Sequence, residues 1–262
     1  MDAMTNQTMQ QPSPTRRRAV VTGASSGIGA ATVRQLVADG WSVLAVARRQ
    51  ERLDALAAET GCDILAADIT SDQDVARIVQ AAGPDATTLV NNAGGARGTE
   101  TVAEADLDKW QWMYDANVLG TVRLTKAMLP VIRSAGGGTL LFVSSIAGHL
   151  TYEGGAGYCA AKHAETVIAE TLRLELNGEP IRVIEIDPGL VHTEEFSLRR
   201  LGGDQAAADK VYAGVPDPLV ADDVADAIVW TLTRPAHVNI DQLVIKPVAQ
   251  AAPHKTHRVP QS

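Results

Sequence analysis

The sequence predicts one α/β domain, a single-domain Rossmann-type doubly wound parallel sheet of about seven strands flanked by helices. Three observations predict it. Short β-branched runs alternate with helical patterns from Arg18 onward. Those runs are nearly continuous in apolar residues, as in Thr139-Leu-Leu-Phe-Val143, which suits strands covered on both faces by crossover helices. A glycine-rich segment, Thr22-Gly-Ala-Ser-Ser-Gly-Ile-Gly29, joins the first run to the first helical stretch. Repeated strand–helix–strand units with right-handed crossovers give this topology.

In chain order, strands are expected at 19–22, 42–47, 63–66, 88–91, 139–144, 181–186 and 242–245, where Val, Ile, Leu and Ala dominate. Helices are expected at 28–38, 51–59, 73–82, 107–133, 156–176 and 221–232. The stretch 193–218 breaks the alternation with Glu194, Glu195, Arg199, Arg200, Gly202-Gly203 and two prolines. A polar excursion after a strand end is where a substrate lid sits. Residues 1–15 read as a disordered leader, 16–250 as the folded domain including the lid, and 251–262 as a flexible C-terminal tail.

Composition narrows the function classes. Hydrophobic residues make up 45% of 262, enough for one core. The formal charge of −8 argues against nonspecific binding to nucleic acid or anionic membrane. Two cysteines, Cys62 and Cys159, supply no disulfide framework and no metal spacing, so no metal site is expected. The polar opening lacks the apolar core of a signal peptide, and no run reaches the roughly 18 residues of a membrane span. A cytoplasmic location is the expectation.

Gly23, Gly27 and Gly29 fall at the first strand–helix junction, with Ser25, Ser26 and Ile28 among them. Glycine there lets a phosphate approach the backbone, and the helix N-terminus offers free N–H groups and the positive end of its dipole. The spacing is Gly-x-x-x-Gly-x-Gly, a departure from the Gly-x-Gly-x-x-Gly dinucleotide fingerprint. The second strand ends in Val46-Ala47-Arg48-Arg49. A carboxylate at position 47 would select NAD through the ribose hydroxyls. Ala47 followed by two guanidinium groups instead suits the 2′-phosphate of NADP, with Arg48 as the main discriminator.

Tyr158 and Lys162 stand at i and i+4, on one face of a predicted helix. An ammonium beside a phenol favours the phenolate, which equips the tyrosine to exchange a proton with an alcohol or carbonyl oxygen. Ser145 lies thirteen positions before Tyr158, at a strand end, where its hydroxyl can donate to an oxygen that gains charge.

These segments together resemble the short-chain dehydrogenase/reductase family from about Arg18 to about Pro247. The resemblance implies an NADP(H)-dependent enzyme acting on an alcohol or carbonyl, with Asn117, Ser145, Tyr158 and Lys162 as the catalytic set. It further implies that Asp68 and Ile69 face the adenine, that Asn91, Ala93 and Gly94 of Asn91-Asn-Ala-Gly94 lie on the ribose side, and that Pro188, Gly189, Val191 and Thr193 hold the nicotinamide carboxamide. Asn117 is implied to hold Lys162 through a water. Pro188-Gly-Leu-Val191, Glu195-Phe-Ser197 and the 235–240 stretch resemble the NADP-dependent 3-hydroxy acid (serine/allo-threonine) dehydrogenase branch. A small 3-hydroxy acid or its semialdehyde is then the implied substrate, with Arg97 and Arg199 as candidate carboxylate anchors. A broad-specificity carbonyl reductase is the alternative, and a non-catalytic NADP-sensing regulator a remote one. The family is commonly tetrameric, and apolar residues from Val118 to Leu129 exceed one helical stripe, so a homo-oligomer, a tetramer before a dimer, is expected.

Overall fold

A computed structural model describes residues 17–260. The expected leader, 1–15, lies outside the described residues, as do positions 261 and 262. Strands β1 (Arg18–Thr22), β2 (Ser42–Ala47), β3 (Asp63–Ala66), β4 (Ala86–Asn91), β5 (Gly138–Val143) and β6 (Ile181–Pro188) alternate with helices α1 (Gly27–Ala38), α2 (Gln50–Thr60) and α3 (Asp72–Ala82). After β4 come α4 (Leu107–Met113), a π-helical turn at Tyr114–Leu119 and α5 (Gly120–Ser134). The long α6 (Ala156–Glu175) joins β5 to β6.

Beyond β6 the chain forms β7 (Val191–His192), α7 (Phe196–Arg200), α8 (Gln205–Tyr212), β8 (Leu219–Val220) and α9 (Ala221–Leu232) before β9 (Gln242–Ile245). Seven strands form one all-parallel sheet in the order β3-β2-β1-β4-β5-β6-β9. β7 and β8 pair separately at the base of the lid.

Alternate residues of each strand feed two cores, one on each face. Ala19, Val21, Val43, Leu141 and Ile184 pack with Val33, Leu36, Val224 and Ile228 under α1 and α9. Val20, Leu44, Leu89, Leu140 and Phe142 pack with Leu124, Met128 and Ile132 of α5 on the other face. Burial on both faces explains why the strands read as unbroken apolar runs rather than as alternations.

Strand order reverses between β1 and β4, so the loops at their carboxyl ends diverge and leave a crevice. Thr22 fastens this point. Its buried hydroxyl donates to the Val90 carbonyl at 3.1 Å and accepts the N–H groups of Asn92 and Ala93 at 3.0 Å each.

The end of the chain differs from the expected flexible tail. Strands β10 (Gln250–Ala252) and β11 (Lys255–Thr256) form an antiparallel hairpin. Gln250 is buried and accepts the Leu190 N–H at 2.7 Å, and the Val259 N–H reaches the Gly214 carbonyl at 2.7 Å. A backbone hydrogen bond to Gly214 on one side and the Gln250 side chain on the loop after β6 on the other tie it down. No helix among the described residues is long and apolar enough to cross a membrane.

Candidate active site

A cleft of about 1780 Å³ opens over the carboxyl ends of the central strands. The glycine loop lines one end, Tyr158 and Ser145 the middle, and residues of 193–203, within the expected lid at 193–218, its roof. Gly23 and Gly27 adopt positive φ values of 66° and 52°. A Cβ on Gly29 would stand 2.4 Å from the Gly23 carbonyl oxygen, so the loop can close onto α1 only with glycine there. The α1 N-terminus consequently faces the cleft with its first N–H groups free for an anion.

At the end of β2 the two arginines part company. Arg49 donates to Ser25 and Ser26 at 2.9 and 3.1 Å and meets the Glu195 carboxylate through both terminal nitrogens at 2.5 and 2.8 Å. Arg48 is largely exposed, and among the described residues its one ionic neighbour is Asp68 at 3.9 Å. Its donors therefore remain open to a phosphate.

Tyr158 is buried on α6, edge-on to Phe196 of the lid with ring centroids 5.8 Å apart. Lys162 is also buried; its ammonium donates to the Val143 carbonyl at 3.1 Å and to Glu165 at 2.5 Å, and lies 5.9 Å from the Tyr158 ring centre. Burial pushes the Tyr158 phenol above its ordinary value, against the pull of Lys162, Ser145 and Arg200. Burial disfavours the Lys162 ammonium, but Glu165 and Tyr158 outweigh it and hold the amine charged. Ser145 caps the short turn Ile146–Gly148 and reaches the Pro188 carbonyl at 3.4 Å. Ser144 points the other way, to the Lys162 carbonyl at 3.4 Å. Both serines border the cleft, and strand alternation sends only the Ser145 hydroxyl toward the Pro188 side.

The lid supplies a cation that the sequence left unranked. The Arg200 guanidinium donates to the Tyr152 hydroxyl at 2.8 Å, to the Gly98 carbonyl at 3.1 Å and to the Gly154 carbonyl at 3.2 Å. Its carbon lies 5.7 Å from the Tyr158 ring centre. Three of five N–H groups are engaged, which leaves two for a ligand. Arg97 instead stacks on Trp112 at 3.9 Å, and Arg199 pairs with Glu195 at 2.7 Å. Of the three lid and loop arginines, Arg200 is the one beside the phenol.

Most of the expected site residues border this one cleft: Gly23, Ser25, Ser26, Gly27, Ile28, Arg48, Arg49, Asp68, Ile69, Ala93, Gly94, Ser145, Tyr158, Lys162, Pro188, Gly189, Val191 and Thr193. Gly29 stands just behind the wall. Two asparagines of the expected set, Asn91 and Asn117, are not among the cleft's lining residues. The Asn91 amide faces α5, donating to Thr125 at 3.2 Å, whereas its neighbour Asn92 lines the cleft and donates to the Thr22 carbonyl at 2.9 Å.

Asn117, implied to hold Lys162 through a water, makes its direct hydrogen bonds to backbone. It accepts the Gly95 N–H at 2.9 Å and donates to the carbonyls of Gly95 and Met113 at 3.0 and 2.6 Å. It sits on the π-helical turn, where the displaced ladder directs the side chain at the loop after β4. Glu165 was not assigned from the sequence; Tyr152, Glu195 and Arg200 fall in stretches expected to face the substrate, but their individual partners were not read. For Glu165 a signal existed, since 158, 162 and 165 share one helical face.

Among the described residues, one His/Asp/Glu grouping has ligand-like spacing: His149, Glu185 and Asp187. Asp187 Oδ2 already accepts from Gln242 at 2.8 Å and lies 3.1 Å from His149, while Glu185 accepts from Thr166 at 2.6 Å.

A doubly wound sheet with a glycine cradle, a buried Tyr–Lys pair and a roofed cleft defines a dinucleotide-dependent oxidoreductase fold. Residues 17–200 match the short chain dehydrogenase family, and the chain belongs to it. An uncharacterized oxidoreductase of Mycobacterium tuberculosis is 54% identical over 248 residues, 94% of this chain and 98% of that protein. A serine 3-dehydrogenase of Agrobacterium fabrum is 42% identical over 238 residues, 88% and 94% of the respective chains. The structure of a closed serine dehydrogenase complexed with NADP+ superposes with a TM-score of 0.86 at 36% identity, covering 93% of this chain and all of that one.

Proposed function

We propose that this chain is an NADP(H)-dependent oxidoreductase acting on a small 3-hydroxy acid or its semialdehyde, with Tyr158 as general acid and base. The observation that carries the substrate class is Arg200. A guanidinium held by Tyr152 and two carbonyls, 5.7 Å from the phenol ring, is placed to grip a carboxylate while the carbon bearing the reacting oxygen lies against Tyr158. The similarity to serine dehydrogenases agrees with that chemistry.

The cradle fits a dinucleotide: Gly29 has no room for a Cβ, the α1 N-terminus is open, and Arg48, more than half exposed with Asp68 3.9 Å away, has donors to offer a 2′-phosphate. Bound NADPH supplies the hydride. In reduction the Tyr158 phenol gives its proton to the carbonyl oxygen, and in oxidation the phenolate takes one from the hydroxyl. Ser145 donates to the same oxygen as charge builds, and Lys162 stabilises the phenolate by its charge. Thr193 begins the lid directly over the glycine loop, its methyl 3.4 Å from where a Gly27 Cβ would stand. Lid contacts with Tyr158 exclude water from the reacting centre.

The same reading includes a homo-oligomer, a tetramer or dimer. Val167 and Leu174 on α6 are 57% and 79% exposed, and Leu119 at the end of the π-helical turn and Val122 on α5 also face outward. Such apolar faces suit a second copy, and elution at monomer mass on gel filtration would count against it.

The test follows nicotinamide absorbance with L-serine, L-allo-threonine, 3-hydroxyisobutyrate and 3-hydroxypropionate for oxidation, and simple aldehydes and diketones for reduction. Oxidation of the hydroxy acids with NADP is expected, and Tyr158→Phe should abolish turnover while still binding NADPH. Turnover of neutral carbonyls alone would replace the acid by a broad carbonyl reductase, and substantial turnover by Tyr158→Phe would remove Tyr158 from the chemistry.

A further inference from the structure

α6 carries an ionisable stripe on one face: Tyr158, Lys162 and Glu165, at i, i+4 and i+7. The third member is a carboxylate that the proton transfer above does not use. Glu165 is buried, and among the described residues its one side-chain hydrogen bond is to the Lys162 ammonium at 2.5 Å. A buried carboxylate without a partner is expensive, so its presence here is matched to that ammonium.

The groups around it are mainly anionic. β6 brings Glu185 and Asp187, both fully buried, to the same side of the sheet. Glu185 is held by Thr166 of α6 at 2.6 Å, with the Arg173 guanidinium 3.8 Å away. Asp187 is held by Gln242 of β9 and faces the His149 ring from the loop after β5. β5 contributes only the Val143 carbonyl to the lysine. Lys162 is thus the cation in direct contact with Glu165, and the positive charge that would act on Tyr158 is shared with a carboxylate on its far side.

We propose that Glu165 is a positioning residue of the reaction: it anchors the Lys162 ammonium and offsets its charge, keeping the Tyr158 phenol protonated and the free enzyme poised for carbonyl reduction. The proposal rests on Tyr158 as the acid and base. Electrostatics point the same way. After burial, which has the largest effect, Lys162 lowers the phenol and Glu165 raises it. Burial and the β6 carboxylates lift Glu165 itself to about 7 despite Lys162. Above that pH the carboxylate is charged and cancels much of the lysine's pull; below it the neutral acid leaves the full ammonium charge acting on Tyr158.

The experiment is the pH dependence of kcat/KM in both directions for wild type, Glu165→Gln and Glu165→Asp. Glu165→Gln removes the charge and keeps the shape, so the limb that reports Tyr158 ionisation should move to lower pH by on the order of one unit. Glu165→Asp keeps the charge and should hold the limb near its wild-type place. An unmoved limb in Glu165→Gln, with only kcat or melting temperature lowered, overturns the proposal, as does an equal shift in both variants.

A second measurement needs no folded Gln variant. The ultraviolet phenolate difference between wild type and Tyr158→Phe, without cofactor, should stay silent up to the ordinary tyrosine value of about 10; phenolate appearing well below it overturns the proposal. Loss of turnover in Tyr158→Phe with an unmoved Glu165→Gln limb would sink this inference alone, whereas retained turnover in Tyr158→Phe would sink the reading beneath it.

Discussion

The glycine loop and the lid face each other across one cleft and are built by opposite means. The loop is shaped by missing atoms: Gly29 touches the Gly23 carbonyl so closely that no side chain fits, and Thr22 pins the neighbouring backbone. The lid is held by side chains reaching far along the chain. Glu195 engages Arg49 and Ser26 of the loop, and Arg200 engages Tyr152 and the carbonyls of Gly98 and Gly154. A wall fixed by backbone can bind the invariant part of a cofactor. A roof fixed by exchangeable ion pairs can open, and can be retuned for substrate without disturbing the wall.

The largest effect should come from breaking the backbone wall. Gly29→Ala forces a methyl into filled space, typically about 1–3 kcal/mol, so NADPH binding should weaken roughly 10- to 100-fold. Gly40→Ala is the control, because nothing lies within 4 Å of its Cβ; its φ of 81° costs some stability but should leave NADPH titrations unchanged. Equal binding losses would show that the cradle is not special. Next comes the roof. Arg200→Gln should raise KM for a carboxylate substrate roughly 10- to 150-fold, from the ~1.5–3 kcal/mol of a charge-assisted contact, and leave neutral aldehydes nearly unaffected. A uniform loss across both classes would make Arg200 merely a lid fastener.

The contrast also explains what could be read from the chain. Strand positions and the cradle were legible because apolar runs and glycine spacing are local signals, and six helices and seven strands fall within a few residues of expectation. Asn91 turns its amide to α5, and its neighbour Asn92 borders the cleft. Strand parity held the answer, since Leu89 and Asn91 share the face that packs on α5. Asn117 reads as a poorly placed helical asparagine, and only the π-helical turn explains where its amide goes. The lid was legible as an excursion but not as a mechanism. Its Glu195–Arg49 contact spans 146 positions, and nothing local ranks Arg199 against Arg200. Adjacent residues on a helix point about 100° apart, so one meets Glu195 and the other Tyr152.

The divided roles of Arg48 and Arg49 sharpen the comparison at the seam between wall and roof. Arg48 has its donors free, so Arg48→Ala should raise the NADPH KM by roughly tenfold, the loss of one partly exposed charge-assisted contact, with the NADH KM unchanged. An equal rise for both cofactors would deny Arg48 any contact with a 2′-phosphate.

The smallest effect belongs to the latch between the two regions. Glu195→Gln removes ion pairs to Arg49 and Arg199 whose arginines are one-third to one-half exposed, so solvent screening leaves each worth no more than ~1 kcal/mol. The lid should then open more often, and proteolysis at the exposed Gly202–Gly203 turn should quicken a few-fold. Burial acts to raise the Glu195 carboxyl, but Arg49, Ser26 and Arg199 outweigh it and hold it below the ordinary carboxylate range. A depressed value places the latch's contribution above the free carboxylate's pKa and removes it only as pH falls through the lowered one. Wild-type proteolysis at this turn should therefore be flat through neutral pH and rise in acid, while the Gln variant stays fast throughout. If the two cleave alike at neutral pH, the lid is held by Arg200 and its carbonyls, and Glu195 serves the loop rather than the roof.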